Sequence, residues 1–94
     1  MEFEFDPAKD EANRFKHGLR LEFGRRVFDD PLHAIIPTVR LGDEEERIKA
    51  IGIVNGKVCT AIHVWRDGVV RCISVRRSND REQRNYHSYP GGPE

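Results

Sequence analysis

Hydrophobic and polar positions first alternate with a period of two at Glu2-Phe3-Glu4-Phe5, which predicts a short, half-buried strand. Asp6-Pro7 then reads as a helix start, with aspartate as the cap and proline at the first position, where its missing N–H costs nothing. Ala8, Ala12 and Phe15 mark a thin apolar stripe, and Lys16-His17-Gly18 predicts the stop, with cations in the last turn and glycine just beyond. Leu21, Phe23, Val27 and Phe28 predict a second short helix, ended by Asp29-Asp30-Pro31. Ala34-Ile35-Ile36-Pro37-Thr38-Val39 reads as a strand whose internal proline places it at a sheet edge. Leu41-Gly42-Asp43-Glu44-Glu45-Glu46 reads as a solvated acidic loop, because its carboxylates lack metal-ligand spacing and no His or Cys is near.

The clearest pattern follows. Arg47–Val54, Lys57–Trp65 and Val69–Arg77 are three strand-like runs joined by Asn55-Gly56 and Asp67-Gly68, both strong two-residue hairpin signals. Residues 79–89 read as a helix and 90–94 as a flexible tail, so residues 1–89 form a single expected domain. The order predicts an α+β fold, with an antiparallel sheet of about four strands, two N-terminal helices and one C-terminal helix. Two-residue hairpins set Val54 opposite Lys57, Gly52 opposite Cys59, Arg66 opposite Val69 and His63 opposite Cys72. One expected face then carries Ile51, Ile53, Val58, Thr60, Ile62, Val64, Val69, Ile73 and Val75 under the helices, with Arg47, Lys49, Arg71 and Arg77 at its margin. The other carries Ala50, Gly52, Cys59, Ala61, His63, Trp65, Val70, Cys72, Ser74 and Arg76 and reads as an open groove. A three-residue loop at Arg66-Asp67-Gly68 would swap the faces of the last strand.

Charge changes this picture only locally. The net charge is zero, yet residues 1–46 hold 12 Asp/Glu against 7 Lys/Arg, and residues 47–86 hold 9 Lys/Arg against 3 Asp/Glu. A neutral chain is not built to coat nucleic acid indiscriminately, but a basic half suits a short stretch of RNA or an acidic partner. The N-terminus lacks a secretory pattern and no apolar run approaches a membrane span, so the expected location is cytoplasmic. Cys59 and Cys72 are expected to be small, half-buried apolar residues rather than a disulfide or a zinc site.

Candidate chemistry gathers on the last strand and helix. RNA carries its own nucleophile, the 2′-OH, so cleavage needs a proton acceptor, a proton donor for the leaving oxygen and cations at phosphorus. No metal or other cofactor is expected. Arginines on adjacent strands, His63, Glu82 and Tyr86 supply those group types. Each has a plainer reading. Asn79 and Glu82 have capping-box spacing, His17 sits where a helix-end histidine serves the dipole, and Trp65 either packs or stacks a base.

The ordered set Phe5-Asp6-Pro7-Ala8-Lys9, Asn13, Lys16-His17-Gly18, Phe23, Val27-Phe28-Asp29-Asp30-Pro31, Glu45/Glu46-Arg47, Gly52, and Arg71-Cys72-Ile73-Ser74-Val75-Arg76-Arg77 with Glu82 and Tyr86 resembles the BrnT family of bacterial type II toxins. Val75 stands where that family usually has alanine, and Ser78-Asn79 where it usually has Ala-Thr. The resemblance implies a RelE-like fold and an endoribonuclease that inhibits translation. It also implies neutralisation by a BrnA-type antitoxin, which binds the operator DNA so that the pair represses its own promoter. The matching positions are Lys16, His17, Arg47, Arg71, Ser74, Arg76, Glu82 and Tyr86. The expected catalytic set is therefore Arg47, Arg71 and Arg76 at the phosphate, His63 or Glu82 as proton acceptor, and Tyr86 as donor or stacking group. Lys16, His17, Ser74 and Arg77 are expected to bind RNA. The rival expectations are a toxin that acts by docking without catalysis, and a degenerate toxin serving as co-repressor.

Overall fold

A computed structural model describes residues 1–38 and 46–88. Most of the acidic run expected as a loop (41–45) and the expected tail (90–94) lie outside the described residues. The elements are β1 (Phe3–Phe5), α1 (Pro7–His17), α2 (Phe23–Asp29), β2 (Ala34–Pro37), β3 (Ile48–Val54), β4 (Lys57–Arg66), β5 (Val69–Arg77) and α3 (Asp80–Ser88). The fold is α+β, as the order predicts, but among the described residues the sheet has five strands and is mixed, in the order β1-β5-β4-β3-β2. The expected antiparallel sheet of about four strands is corrected by β1, which pairs in parallel with β5 through Phe3↔Val70, Glu4↔Arg71 and Phe5↔Cys72. That partner lies 67 residues away, and nothing local in a three-residue strand signals it. Phe3 and Phe5 pack against the core from this position.

Local signals at turns and caps are realised. Asp6 Oδ1 accepts from Ala8 N–H at 2.8 Å, Pro7 opens α1, and Gly18 ends it at φ 74° with its N–H bonded to Arg14 O. Asn55-Gly56 and Asp67-Gly68 all have positive φ (52° and 78° in each pair), the type I′ geometry that matches strand twist. The four expected hairpin pairings are all present, so the three-residue loop is excluded. Pro37 ends β2 at the sheet edge.

Two packing expectations are corrected. Ala8 and Ala12 are exposed and Phe15 is 89% exposed, so α1 is not held by an apolar stripe. It is held by polar anchors. Asn13, 6% exposed, donates to Leu19 O (2.7 Å) and Val75 O (2.9 Å), while its oxygen accepts from Val75 N–H (3.2 Å) and the Ser74 hydroxyl (3.1 Å). Because β1 ends opposite Cys72, β5 has a bare edge beyond that point. The Asn13 amide pairs with it in place of a strand. Asp10 ties the other side, accepting from Leu21 N–H and Arg20.

The faces of the sheet are also corrected. The small-residue face expected to be an open groove is the one that α1 and α2 cover, and Leu21 and Val27 pack there on Ala50, Cys59, Ala61, Cys72 and Val75. Its residues are small because the helices come close. A Cβ on Gly24 would stand 2.9 Å from Cys72 Sγ, and one on Gly52 would stand 2.6 Å from Val27 O. The larger aliphatics lie on the opposite face, where Tyr86 of α3 packs on Ile51 and Ala34. A bulge completes the change. Pairing passes from His63↔Cys72 to Ile62↔Ser74, leaving Ile73 as the extra residue. Val75 is thereby turned into the dry core, and Arg76 is placed beside Thr60 on the α3 side. Without the bulge a charged group would lie under the helices. The cysteines are free, as expected, and fully buried rather than half-buried, because α1 and α2 cover their face.

Candidate active site

The α3 side of the sheet is organised by Glu82, 1% exposed. As expected from the spacing, Asn79 and Glu82 form a reciprocal capping box: Glu82 N–H donates to Asn79 Oδ1 (2.8 Å) and Asn79 N–H to Glu82 Oε1 (3.0 Å). The same carboxylate takes a bidentate pair from the Arg76 guanidinium at 2.7 and 2.8 Å, and the Lys49 ammonium at 2.9 Å. Thr60 donates to it at 3.1 Å and shares a 2.7 Å bond with Ser78. Ser78 therefore donates to Thr60, whose own proton goes to Glu82. Burial opposes ionisation of this carboxyl, but bonds from Arg76, Lys49 and Asn79 outweigh it and hold its pKa at about 2. Glu82 is a poor proton acceptor at neutral pH and a strong anchor for two cations. Arg76 and Lys49 keep 26% and 29% of their side chains in solvent, so both can be reached from outside.

Tyr86, one turn on, donates to Asp30 Oδ2 at 2.5 Å. Burial and that carboxylate push its phenol up to about 12. Burial works against Asp30 too, yet bonds from Tyr86 and from the Ile53 and Leu32 N–H groups keep its pKa below the usual carboxylate value. The Tyr86 ring is 9% exposed, so it offers no stacking surface. It ties α3 to the end of α2.

The remaining expected residues separate by face. Arg71, paired with Glu4 at 2.6 Å, sits opposite Val64, on the same face as Arg76 but four β4 residues away, about 13 Å along the strand. Arg47 is exposed just ahead of β3. Arg77 is exposed at the end of β5, opposite Cys59 and turned from the Arg76 side. His63 lies on the far face, 1% exposed, its ring 5.0 Å from Phe28, and neither nitrogen has a well-formed hydrogen bond, the Ala61 backbone offering only a weak one. It is not brought together with Arg76. Trp65, half exposed, stands beside it at 6.3 Å.

Lys16, His17 and Ser74 come together. With Lys9, Ala12, Asn13 and Ile73 they line a groove of about 170 Å³ between α1 and the β5 bulge. His17 is half-buried. Burial first, then the charges of Lys16 and Arg76, lower its pKa, against the preference of a helix C-terminus for the cation. Ser74 on the groove wall and Arg76 stand two residues apart on β5, so the groove lies next to the Glu82 cluster.

Sequence reasoning placed Lys49 only at a margin and left Asn13, Asp30 and Thr60 without roles. Their importance comes from partners 22 to 62 positions distant (Thr60 to Glu82, Lys49 to Glu82, Asp30 to Tyr86, Asn13 to Val75). Only the position of Asn13 within the family-like motif hinted at one of them. Among the described residues no three His, Cys, Asp or Glu side chains stand together as a metal set, and no helix is long and apolar enough to cross a membrane.

No curated protein matches the chain significantly. The model of one family, described as the ribonuclease toxin BrnT of type II toxin–antitoxin systems, matches residues 5–82. That span runs from β1 into α3 and includes the Asn13 anchor, the β5 bulge, Arg76 and Glu82. The chain belongs to the BrnT family of ribonuclease toxins of type II toxin–antitoxin systems.

Proposed function

We propose that this chain is a cytoplasmic, metal-independent endoribonuclease that inhibits translation, is neutralised by a BrnA-type antitoxin, and represses its own operon together with that antitoxin. One observation carries the catalytic part: a buried, fully ionised Glu82 aims the guanidinium of Arg76 and the ammonium of Lys49 at the open α3 side of the sheet. These cations sit where extra negative charge on a phosphate is stabilised, and their order is fixed before substrate arrives. Glu82 is then a positioning residue. Arg47, just ahead of the Ile48↔His63 pair, and Arg71, opposite Val64, lie together at one end of the cluster and bind the RNA backbone there, while Arg77 and Lys16 approach from the sheet edge. Tyr86 holds α3 in place through Asp30 rather than donating a proton.

The test is purified protein incubated with total RNA, with and without ribosomes and with a chelator present. New RNA ends that persist in chelator are expected. Arg76→Ala is expected to lower cleavage about 10²–10³-fold and to remove growth arrest on induction, with folding checked by thermal melt. Absence of new ends in every condition would favour a docking toxin. Harmless induction of the parent would favour a co-repressor.

A further inference from the structure

The cluster on α3 binds a phosphate but holds no basic atom free to take a proton. Glu82 is saturated by five donors. His63 is sealed beneath α2, its nitrogens closed to solvent. His33 has Nδ1 engaged with Asp30 O at 2.8 Å and packs on Phe28 at the C-terminal end of α2, and His87 stands against the Tyr86 ring on α3. The remaining histidine is His17, in the groove beside the β5 bulge.

That groove has the parts a sugar–phosphate unit needs. Lys9 and Lys16 bring positive charge, Ser74 brings a hydroxyl, and Asn13 fixes both Ser74 and Val75 so that the bulge cannot drift. One residue beyond Val75, the chain reaches Arg76, so the groove leads directly to the phosphate-binding cations. Lys16 on α1 and Arg76 on β5 are the charged groups acting on His17, with Lys9 on the same groove wall. Both named cations favour the neutral imidazole, the form that accepts a proton.

Building on the ribonuclease reading above, we propose that His17 is the proton acceptor of the cleavage reaction, and that the groove between α1 and the β5 bulge seats the attacking ribose. In this step His17 takes the 2′-OH proton and the 2′-oxygen lone pair forms a bond to phosphorus. The phosphorus–O5′ bond breaks with its electron pair on the 5′-oxygen, which is protonated by water at the open face. The products are a 2′,3′-cyclic phosphate and a 5′-hydroxyl. Arg76 and Lys49 hold the non-bridging oxygens throughout.

The experiment uses the full chain, an oligoribonucleotide that it cleaves, and a 2′-O-methyl version that it cannot cleave. His17→Gln is expected to lower kcat about 10²–10⁴-fold, with affinity for the 2′-O-methyl oligonucleotide kept within about threefold and an unchanged melt. The parent rate should rise with pH through a value below the ordinary histidine range, and this acid limb should vanish in His17→Gln. Parent products should carry cyclic phosphate ends. The inference is overturned if His17→Gln cleaves like the parent, if its loss merely tracks weaker binding, or if the acid limb survives. An acid limb only near the Glu82 value of about 2 would return the role to that carboxylate. If the parent produces no new RNA ends at all, the ribonuclease reading fails first, and this inference with it.

Discussion

The two faces of the sheet solve the same problem with different materials. Under α1 and α2 the face is dry and made of small residues, and contact is so close that Gly24 and Gly52 leave no room for a Cβ. Under α3 the contact is thin: Tyr86 covers Ile51 and bonds to Asp30, while the rest of the attachment is the charged cluster around Glu82. Non-directional burial sets the first face, and directional bonds set the second. The difference explains why the cationic face stays open. A helix attached through one carboxylate leaves the neighbouring strands uncovered; a helix attached through apolar area does not.

The comparison breaks most sharply at Glu82. Glu82→Ala removes the acceptor for five donors and leaves Arg76 and Lys49 without a counter-charge. Because both cations can reach water, the expected cost is about 3 kcal/mol, the low end for breaking a buried ion pair. Urea unfolding of parent and variant measures it. The carboxyl has a folded pKa of about 2, below its ordinary value of 4.5, so this stability is complete above about pH 4.5 and is lost as pH falls towards 2. Glu82→Ala should flatten that part of the acid profile. A loss below about 0.5 kcal/mol would mean that α3 is held by something other than the cluster.

On the dry face the corresponding change is Gly52→Ala. The new Cβ would meet Val27 O, a backbone atom that cannot rotate away, at 2.6 Å. Overpacking of this kind costs about 1–3 kcal/mol, and α2 must shift away from β3. The α3 side should be indifferent, so growth arrest at permissive temperature should persist while the melting temperature falls. Equal loss of stability and of activity per folded molecule would show that the faces are coupled.

How much of this was legible in the sequence follows the reach of each signal. Asp6-Pro7, Gly18, Asn55-Gly56, Asp67-Gly68 and the Asn79–Glu82 box act over two to four residues, and all of them formed as read. The faces were misassigned for two nonlocal reasons. Small residues at Gly52, Cys59, Ala61 and Cys72 look like a groove until the helix that fills the space is placed. The bulge at Ile73 is held by Asn13, which supplies hydrogen-bond partners 62 positions away at Val75. Past the bulge, alternation counted from Asp67-Gly68 inverts. The arginine pattern was visible throughout, but which arginine shared a face with Glu82 was not.

The smallest effect belongs to His63, and it sharpens the comparison because it is the polar exception on the dry face. Its two poorly bonded nitrogens cost stability that an apolar ring of similar shape does not forfeit. His63→Phe is therefore expected to raise stability by about 1 kcal/mol at neutral pH. Burial lowers the pKa of His63 below its ordinary 6.5, so the unfolded chain binds the proton first as pH falls. Stability from this neutral ring is complete above about pH 6.5 and declines below it, down to the folded value. The variant should lose that slope, and its advantage over the parent should widen between pH 7.5 and 5.5. His17, lowered in the same direction, leaves a residual slope in both proteins. Urea melts at the two pH values decide the matter. A His63→Phe protein that is less stable and keeps the full parental slope would mean that the imidazole is bonded in solution, and that this face is not dry.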